Sequence, residues 1–138
     1  MQAKEIDKAD GRRTFALVFD IGDEVANGLL IFAREQDLRG AYFTAIGALQ
    51  DATLGFWDGK TREYRRIPVH EQVEVLSLAG NIAIGAEGEL KVHAHIIVGK
   101  ADGSAHGGHL RVAPPRVELT PFDQQLACHG GAEVTPGS

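Results

Sequence analysis

Three histidines carry the chemistry open to this sequence. His93 and His95 stand in KVHAHIIVG, and His109 follows in SAHGGHL. Val92, Ala94, Ile96 and Val98 alternate with His93, His95 and Ile97, the period of two that marks a strand. Residues two apart in a strand share a face, so His93 and His95 project together. Converging imidazole nitrogens can share a metal ion, and three of them leave a tetrahedral zinc one position for water.

Whether His109 joins the pair depends on register. Ala101-Asp102-Gly103 is turn chemistry, and a three-residue loop closed by Lys100 opposite Ser104 sets His95 opposite His109. Directly opposed Cβ atoms are about 5 Å apart, so the three rings meet. His106 then faces Val98 on the other side of the sheet. A two-residue Asp-Gly loop instead sets His109 opposite Ile96 and splits the cluster. Gly107-Gly108 could add a bulge and change the count, and it removes side chains beside His109, so that backbone, solvent or ligand can approach. At this level both registers stay open, and a His-x-His pair on a strand is more often a solvated or hydrogen-bonded pair than a ligand set.

The elements that would hold these residues can be read from the rest of the chain. Residues 1–11 are polar and read as a loose arm. Phe15, Leu17 and Phe19 share one face of a short strand after Arg12-Arg13. Asp23 suits a helix N-cap with Glu24 in the first turn, and Val25, Leu29, Phe32 and Ala33 form an apolar stripe at helical spacing. Gly28 weakens this helix by about 1 kcal/mol, and Gly40 is the expected stop. Strand patterns follow at 41–49, 52–57, 63–69 and 73–84, with Gly47 and Gly55 as bulge or close-approach positions, an edge marked by Pro68 and a bend at Gly80. Further strands are expected at 117–120 and 126–129, and residues 130–138 read as a tail. The expectation is an α+β domain over 12–129, mainly antiparallel sheet of about seven strands with one helix, flanked by flexible tails at 1–11 and 130–138. One helix covers one face of such a sheet, so the other face must curl or be covered by another subunit.

Bulk properties narrow the function classes. The chain has 138 residues, 43% hydrophobic, with formal net charge −5 and a pI near 5.6. That balance argues against a broad nucleic-acid footprint, which requires a basic face. Cys128 is the single cysteine, so no internal disulfide is available, and it reads as a core or surface thiol. No apolar run is long enough for a membrane helix and the N-terminus has no signal-peptide core, which makes the cytoplasm the default. There is no P-loop, dinucleotide fingerprint, HExxH or Ser-His-Asp pattern.

Taken in order, DEVANGLLIFAREQDLRG, AIGALQDATLGFWD, EYRRIPVHEQVEVLSLAGNIAI and HAHIIVGKADGSAHGGHL resemble the plant-and-prokaryote-conserved (PPC) domain, in particular its stand-alone bacterial and archaeal members. The likeness covers about residues 13–120. It implies an antiparallel sheet with a single helix, a homotrimer, and in bacterial members a metal, taken to be zinc, held by the residues matching His93, His95 and His109. Family members are often labelled DNA-binding. In plant relatives a separate AT-hook contacts DNA, and this chain has no Arg-Gly-Arg-Pro core. The segment after His109, with Pro114-Pro115, departs from the family pattern.

Three functions follow as expectations. The first is a homotrimeric module holding zinc, or another divalent transition metal, on His93, His95 and His109, with a regulatory, DNA-associated or scaffolding role. The second uses the same site as a zinc-dependent hydrolase or small-ligand-binding protein. A hydrolase would want a carboxylate base, for which Glu74 and Glu118 are the candidates in neighbouring strands, although solvated surface is their commoner role. The third is DNA contact, direct or through a DNA-binding partner, by Lys60, Arg62, Arg65 and Arg66 with Arg12-Arg13 as an arm. The plainer account of those cations is a charged edge that blocks strand pairing. His70 and His129 read as surface residues, and Trp57 as core or interface.

Overall fold

A computed structural model describes residues 1–110 and 130–133. Its strands are β1 (Gln2–Ala9), β2 (Arg12–Val18), β3 (Gly40–Leu49), β4 (Ala52–Asp58), β5 (Glu63–Val69), β6 (Val73–Ile84), β7 (Leu90–Gly99), β8 (Ala105–Leu110) and β9 (Gly130–Glu133), with one helix, α1 (Val25–Glu35), among the described residues. The strands form one sheet in the order β1-β2-β9-β3-β6-β7-β8-β4-β5. All its ladders are antiparallel. This is the mainly antiparallel α+β fold expected, with two strands where tails were expected.

Those two strands correct the sequence reading. Residues 1–11 are not a loose arm, because Gln2–Ala9 pairs with β2 along its length. Every residue of β1 is exposed, so no apolar alternation announced it. Gly130–Glu133, expected within a tail, pairs with β2 and meets β3 at Tyr42. The expected strands at 117–120 and 126–129, with Pro114-Pro115, Glu118, Cys128 and His129, lie outside the described residues.

The helix also begins and ends differently. Glu24, not Asp23, is the N-cap, and its carboxylate accepts from the backbone N–H of Ala26 (3.2 Å) and Asn27 (2.7 Å). Asp23 accepts instead from the backbone N–H of Asp20 at 2.8 Å. The stop is Asp37, at φ +51°, three residues before Gly40. The N–H of Asp37 reaches the Arg34 carbonyl at 3.2 Å and that of Leu38 reaches the Ala33 carbonyl at 2.8 Å, a Schellman closure. Asp tolerates the left-handed region better than most residues, which frees Gly40 to open β3.

One face of the sheet carries the core. Val25, Ala26, Leu29, Phe32 and Ala33 of α1 are buried with Phe15, Leu17, Phe43, Leu54, Leu78, Ile96 and Val98. Phe15 and Phe32 meet edge to face with centroids 5.0 Å apart. Gly28 is where the helix admits a ring: a Cβ there would lie 2.6 Å from Phe19 Cε1. Gly80 does not mark a bend. It pairs with Ala94 in an unbroken stretch of the β6–β7 ladder, and a Cβ there would overlap the His93 carbonyl and Ala94. Gly47 does flank a register shift in β3, whereas Gly55 pairs regularly with both Arg66 and His109. No helix among the described residues lies on the opposite face. That face exposes Tyr42, Ile46, Leu76, Ile97, Trp57 and Tyr64 beside polar neighbours.

Candidate metal centre

The β7–β8 hairpin closes through the three-residue loop. The Lys100 N–H donates to the Ser104 carbonyl at 2.8 Å, Gly103 takes φ +83°, and Asp102 accepts from the Ser104 N–H at 2.8 Å. Cross-strand partners are then Gly99 with Ala105, Val98 with His106, Ile97 with Gly107, Ile96 with Gly108 and His95 with His109. The open register question is settled by this loop, and Gly107-Gly108 adds no bulge. His106 faces Val98, away from the cluster.

His93, His95 and His109 therefore stand together on the open face. One nitrogen from each ring lies within 4.8 Å of the other two. Ring centroids are 4.4 Å apart for His95 and His109, 5.2 Å for His93 and His95, and 5.5 Å for His93 and His109. Two nitrogens on one tetrahedral zinc are about 3.4 Å apart, given bonds of about 2.1 Å. His93 and His95 are exposed, so ring rotation spans the difference. Burial lowers the pKa of His109, with His95 and then His93 adding to the effect, so this ring favours the neutral form a metal needs. Neutral imidazoles alone suit zinc, copper, iron or nickel. Among the described residues no acidic side chain joins the group. Glu74 is on β6, five residues from Ala79, the partner of His95. At strand rise that is roughly 15 Å away, too far for a base acting on a metal-bound water.

One member of the site escaped the sequence reading. Tyr64 of β5 meets His109 edge to face at 5.3 Å, and Trp57 of β4 meets Tyr64 at 5.0 Å. Strand β4 lies between β5 and β8, and its buried Gly55 pairs with His109 on one side and, on the other, with Arg66, two residues along β5 from Tyr64. The missing side chain at Gly55 lets the two rings touch across an intervening strand. The signal available beforehand was Gly55 itself, but its strand neighbours were not. Trp57 is half-exposed on this face and so is not core.

The expected cations are not brought to one surface. Lys60 and Arg62 lie in the β4–β5 turn, and alternation sends Arg65 and Arg66 of edge strand β5 to opposite faces. Arg65 is 3.2 Å from Asp58 and over Phe56. Arg13 is held by Glu5 at 2.6 Å and by Gln36 Oε1 at 2.7 Å, and its guanidinium stacks on Phe15. It is a structural clamp on β2 and no arm. His70 is exposed, and among the described residues it does not join the histidine cluster.

A single antiparallel sheet with one covering helix, and three histidines converging on its open face, defines an α+β domain with a potential metal centre. The model of the Plants and Prokaryotes Conserved (PCC) domain, also written PPC, matches residues 6–120, and the chain belongs to that family. Solved structures agree. A PPC protein from Pyrococcus horikoshii superposes with a TM-score of 0.76 at 27% identity, covering 91% of this chain and 81% of that one. A metal-containing protein from Archaeoglobus fulgidus gives 0.70 at 30% identity, covering 86% and 76%. A Bacteroides thetaiotaomicron protein named as a candidate DNA-binding protein gives 0.72 at 25% identity, covering 94% and 83%. Among curated sequences the chain is 35% identical over 100 residues to the bifunctional protein GlmU of Synechococcus sp. (strain JA-3-3Ab). That match takes in 72% of this chain but only 15% of that protein. No helix among the described residues is long and apolar enough to cross a membrane.

Proposed function

We propose that this protein is a metal-binding PPC-domain protein in which His93, His95 and His109 hold one zinc-like divalent ion. In this reading it works as a cytoplasmic homotrimer with a regulatory, DNA-associated or scaffolding role. The observation that carries the metal is the meeting of three imidazole nitrogens within 4.8 Å on an open sheet face. The metal-containing A. fulgidus neighbour supports it. Zinc bound there would supply a Lewis-acidic centre with a free position, and the protein's part is to hold three neutral rings in place.

Assembly is supported by the exposed apolar residues of the β3–β6 half of the open face, Tyr42, Ile46 and Leu76. A patch of this kind on a sheet face that no described helix covers favours burial by another copy. Association with DNA is supported by the B. thetaiotaomicron neighbour. The divided placement of Lys60, Arg62, Arg65 and Arg66 favours a DNA-binding partner over direct phosphate contact.

Elemental analysis of the purified protein beside His95→Ala, with molar mass by light scattering, tests the reading. One ion per chain, lost in the variant, and a mass three times 14.8 kDa are expected. A metal-free monomer would overturn both parts.

A further inference from the structure

The two glycines before His109 do different work. Gly108 faces the core side, and a Cβ there would lie 2.8 Å from the Gly55 carbonyl oxygen, so it is needed for β8 to approach β4. Gly107 faces the open side with the histidines. A Cβ there would meet nothing closer than the Ile96 carbonyl oxygen at 3.5 Å and Ile97 Cγ1 at 3.6 Å. Among the described residues the space above Gly107 is therefore free, and close packing does not explain the glycine.

What surrounds that space is apolar. Ile97, the cross-strand partner of Gly107, is 46% exposed on the β7 side. On the other side β4 runs from Gly55, the partner of His109, toward the end of the sheet where Gly107 lies, and Trp57 is the next residue on that face. Trp57 is 45% exposed, with Tyr64 edge-on behind it. One end of the notch is formed by His95 and His109, two residues along their strands. It has a glycine floor, an indole wall, an isoleucine wall and a potential metal at one end.

Resting on the metal reading above, we propose that this notch is the ligand half of the site and takes a small aromatic carboxylate. The carboxylate completes the coordination of the ion on His93, His95 and His109, and the ring lies over Gly107 between Trp57 and Ile97. Charge points to the anion: a divalent ion on three neutral rings has no acidic partner among the described residues, and carboxylate oxygen is an ordinary fourth ligand for zinc. Shape and surface point to the ring, since a flat apolar body gains contact with Trp57 and Ile97 that an aliphatic acid of two carbons does not.

Titration of the zinc-loaded protein with benzoate and with acetate tests this. Acetate shares the carboxylate and lacks the ring. Benzoate is expected to bind at least tenfold more tightly and to perturb the fluorescence of Trp57, the single tryptophan, in the loaded protein but not in the apoprotein. Both acids are expected to change the visible spectrum of the cobalt-substituted protein. Gly107→Val, which fills the notch from a position with ordinary clearance, should keep its metal and lose the preference for benzoate. Ile97→Ser should reduce the same preference from the opposite wall. Equal affinity for the two acids, or a benzoate response that survives both substitutions or metal removal, overturns the inference and leaves the metal reading intact. Wild-type protein that takes up no zinc overturns the metal reading and the inference with it.

Discussion

Strand β7 shows two regions of the molecule side by side. Val92, Ala94, Ile96 and Val98 leave it toward α1 and the core, while His93, His95 and Ile97 leave it on the open face. The same backbone thus serves packing on one side and chemistry on the other. Core positions are specified by volume, because each side chain must fit its neighbours. The open-face positions of β7 are specified by register more than by volume, because no helix among the described residues packs over them to correct a slip. Changes on the inner face should therefore be read in stability, and changes on the outer face in binding.

The largest effect on the fold is expected from Leu54→Ala. Leu54 is fully buried on β4 opposite Leu110. Removing its side chain should cost about 2–5 kcal/mol in urea unfolding. A loss under 1 kcal/mol would mean that this part of the sheet is not core.

Gly80→Ala comes next and joins the two faces. The added methyl would press on Ala94 and the His93 carbonyl, at a cost of about 1–3 kcal/mol from overpacking. Because that contact is with the segment carrying His93 and His95, zinc affinity should fall along with stability. Unchanged affinity in a destabilised variant would show that the histidine geometry does not depend on the close β6–β7 approach.

His95→Ala is the reverse case. His95 is exposed, so apoprotein stability should stay within about 0.5 kcal/mol of wild type, while metal stoichiometry goes to zero. Equal unfolding midpoints for the two apoproteins, combined with metal in only one, would separate the faces cleanly. A large loss of apoprotein stability would place His95 in the packing.

How much of this was legible in the sequence follows the same division. The β7–β8 register could be narrowed by counting, since Ala101-Asp102-Gly103 permits few turns and the apolar alternation of β7 fixes its inward face. Helix α1 was visible from its apolar stripe, but its end was not: Asp37 occupies the left-handed position where glycine was expected, and a local rule gives no warning of that. Strands β1 and β9 were illegible because QAKEIDKA and GGAE carry no alternation. Backbone pairing places them, joined on β1 by the Glu5–Arg13 ion pair. The contact of Tyr64 with His109 was illegible for a topological reason. It depends on β4 lying beside β8, two strands far apart in the chain, and no spacing in the sequence states which non-consecutive strands become neighbours.

The smallest effect is expected at the turn that holds Trp57 and Tyr64 together. Asp58 accepts from the backbone N–H of Lys60 at 2.9 Å and of Thr61 at 3.3 Å, and from Arg65 at 3.2 Å. These bonds, that from Lys60 foremost, hold its pKa below the ordinary 3.8. A carboxylate with a lowered folded pKa stabilises the native state above its unfolded value, and that contribution is lost as pH falls through the folded value. Asp58→Asn keeps an acceptor for the turn but removes the charge, so it should unfold slightly earlier than wild type at neutral pH. The gap should narrow below about pH 4, where the carboxylate of the unfolded chain takes up its proton before that of the folded one. Thermal melts of both proteins from pH 7 down to the acid limit would measure it. A gap that widens toward acid would mean that the charge at Asp58 destabilises the turn, and the Trp57–Tyr64 wall of the open face would then need another support.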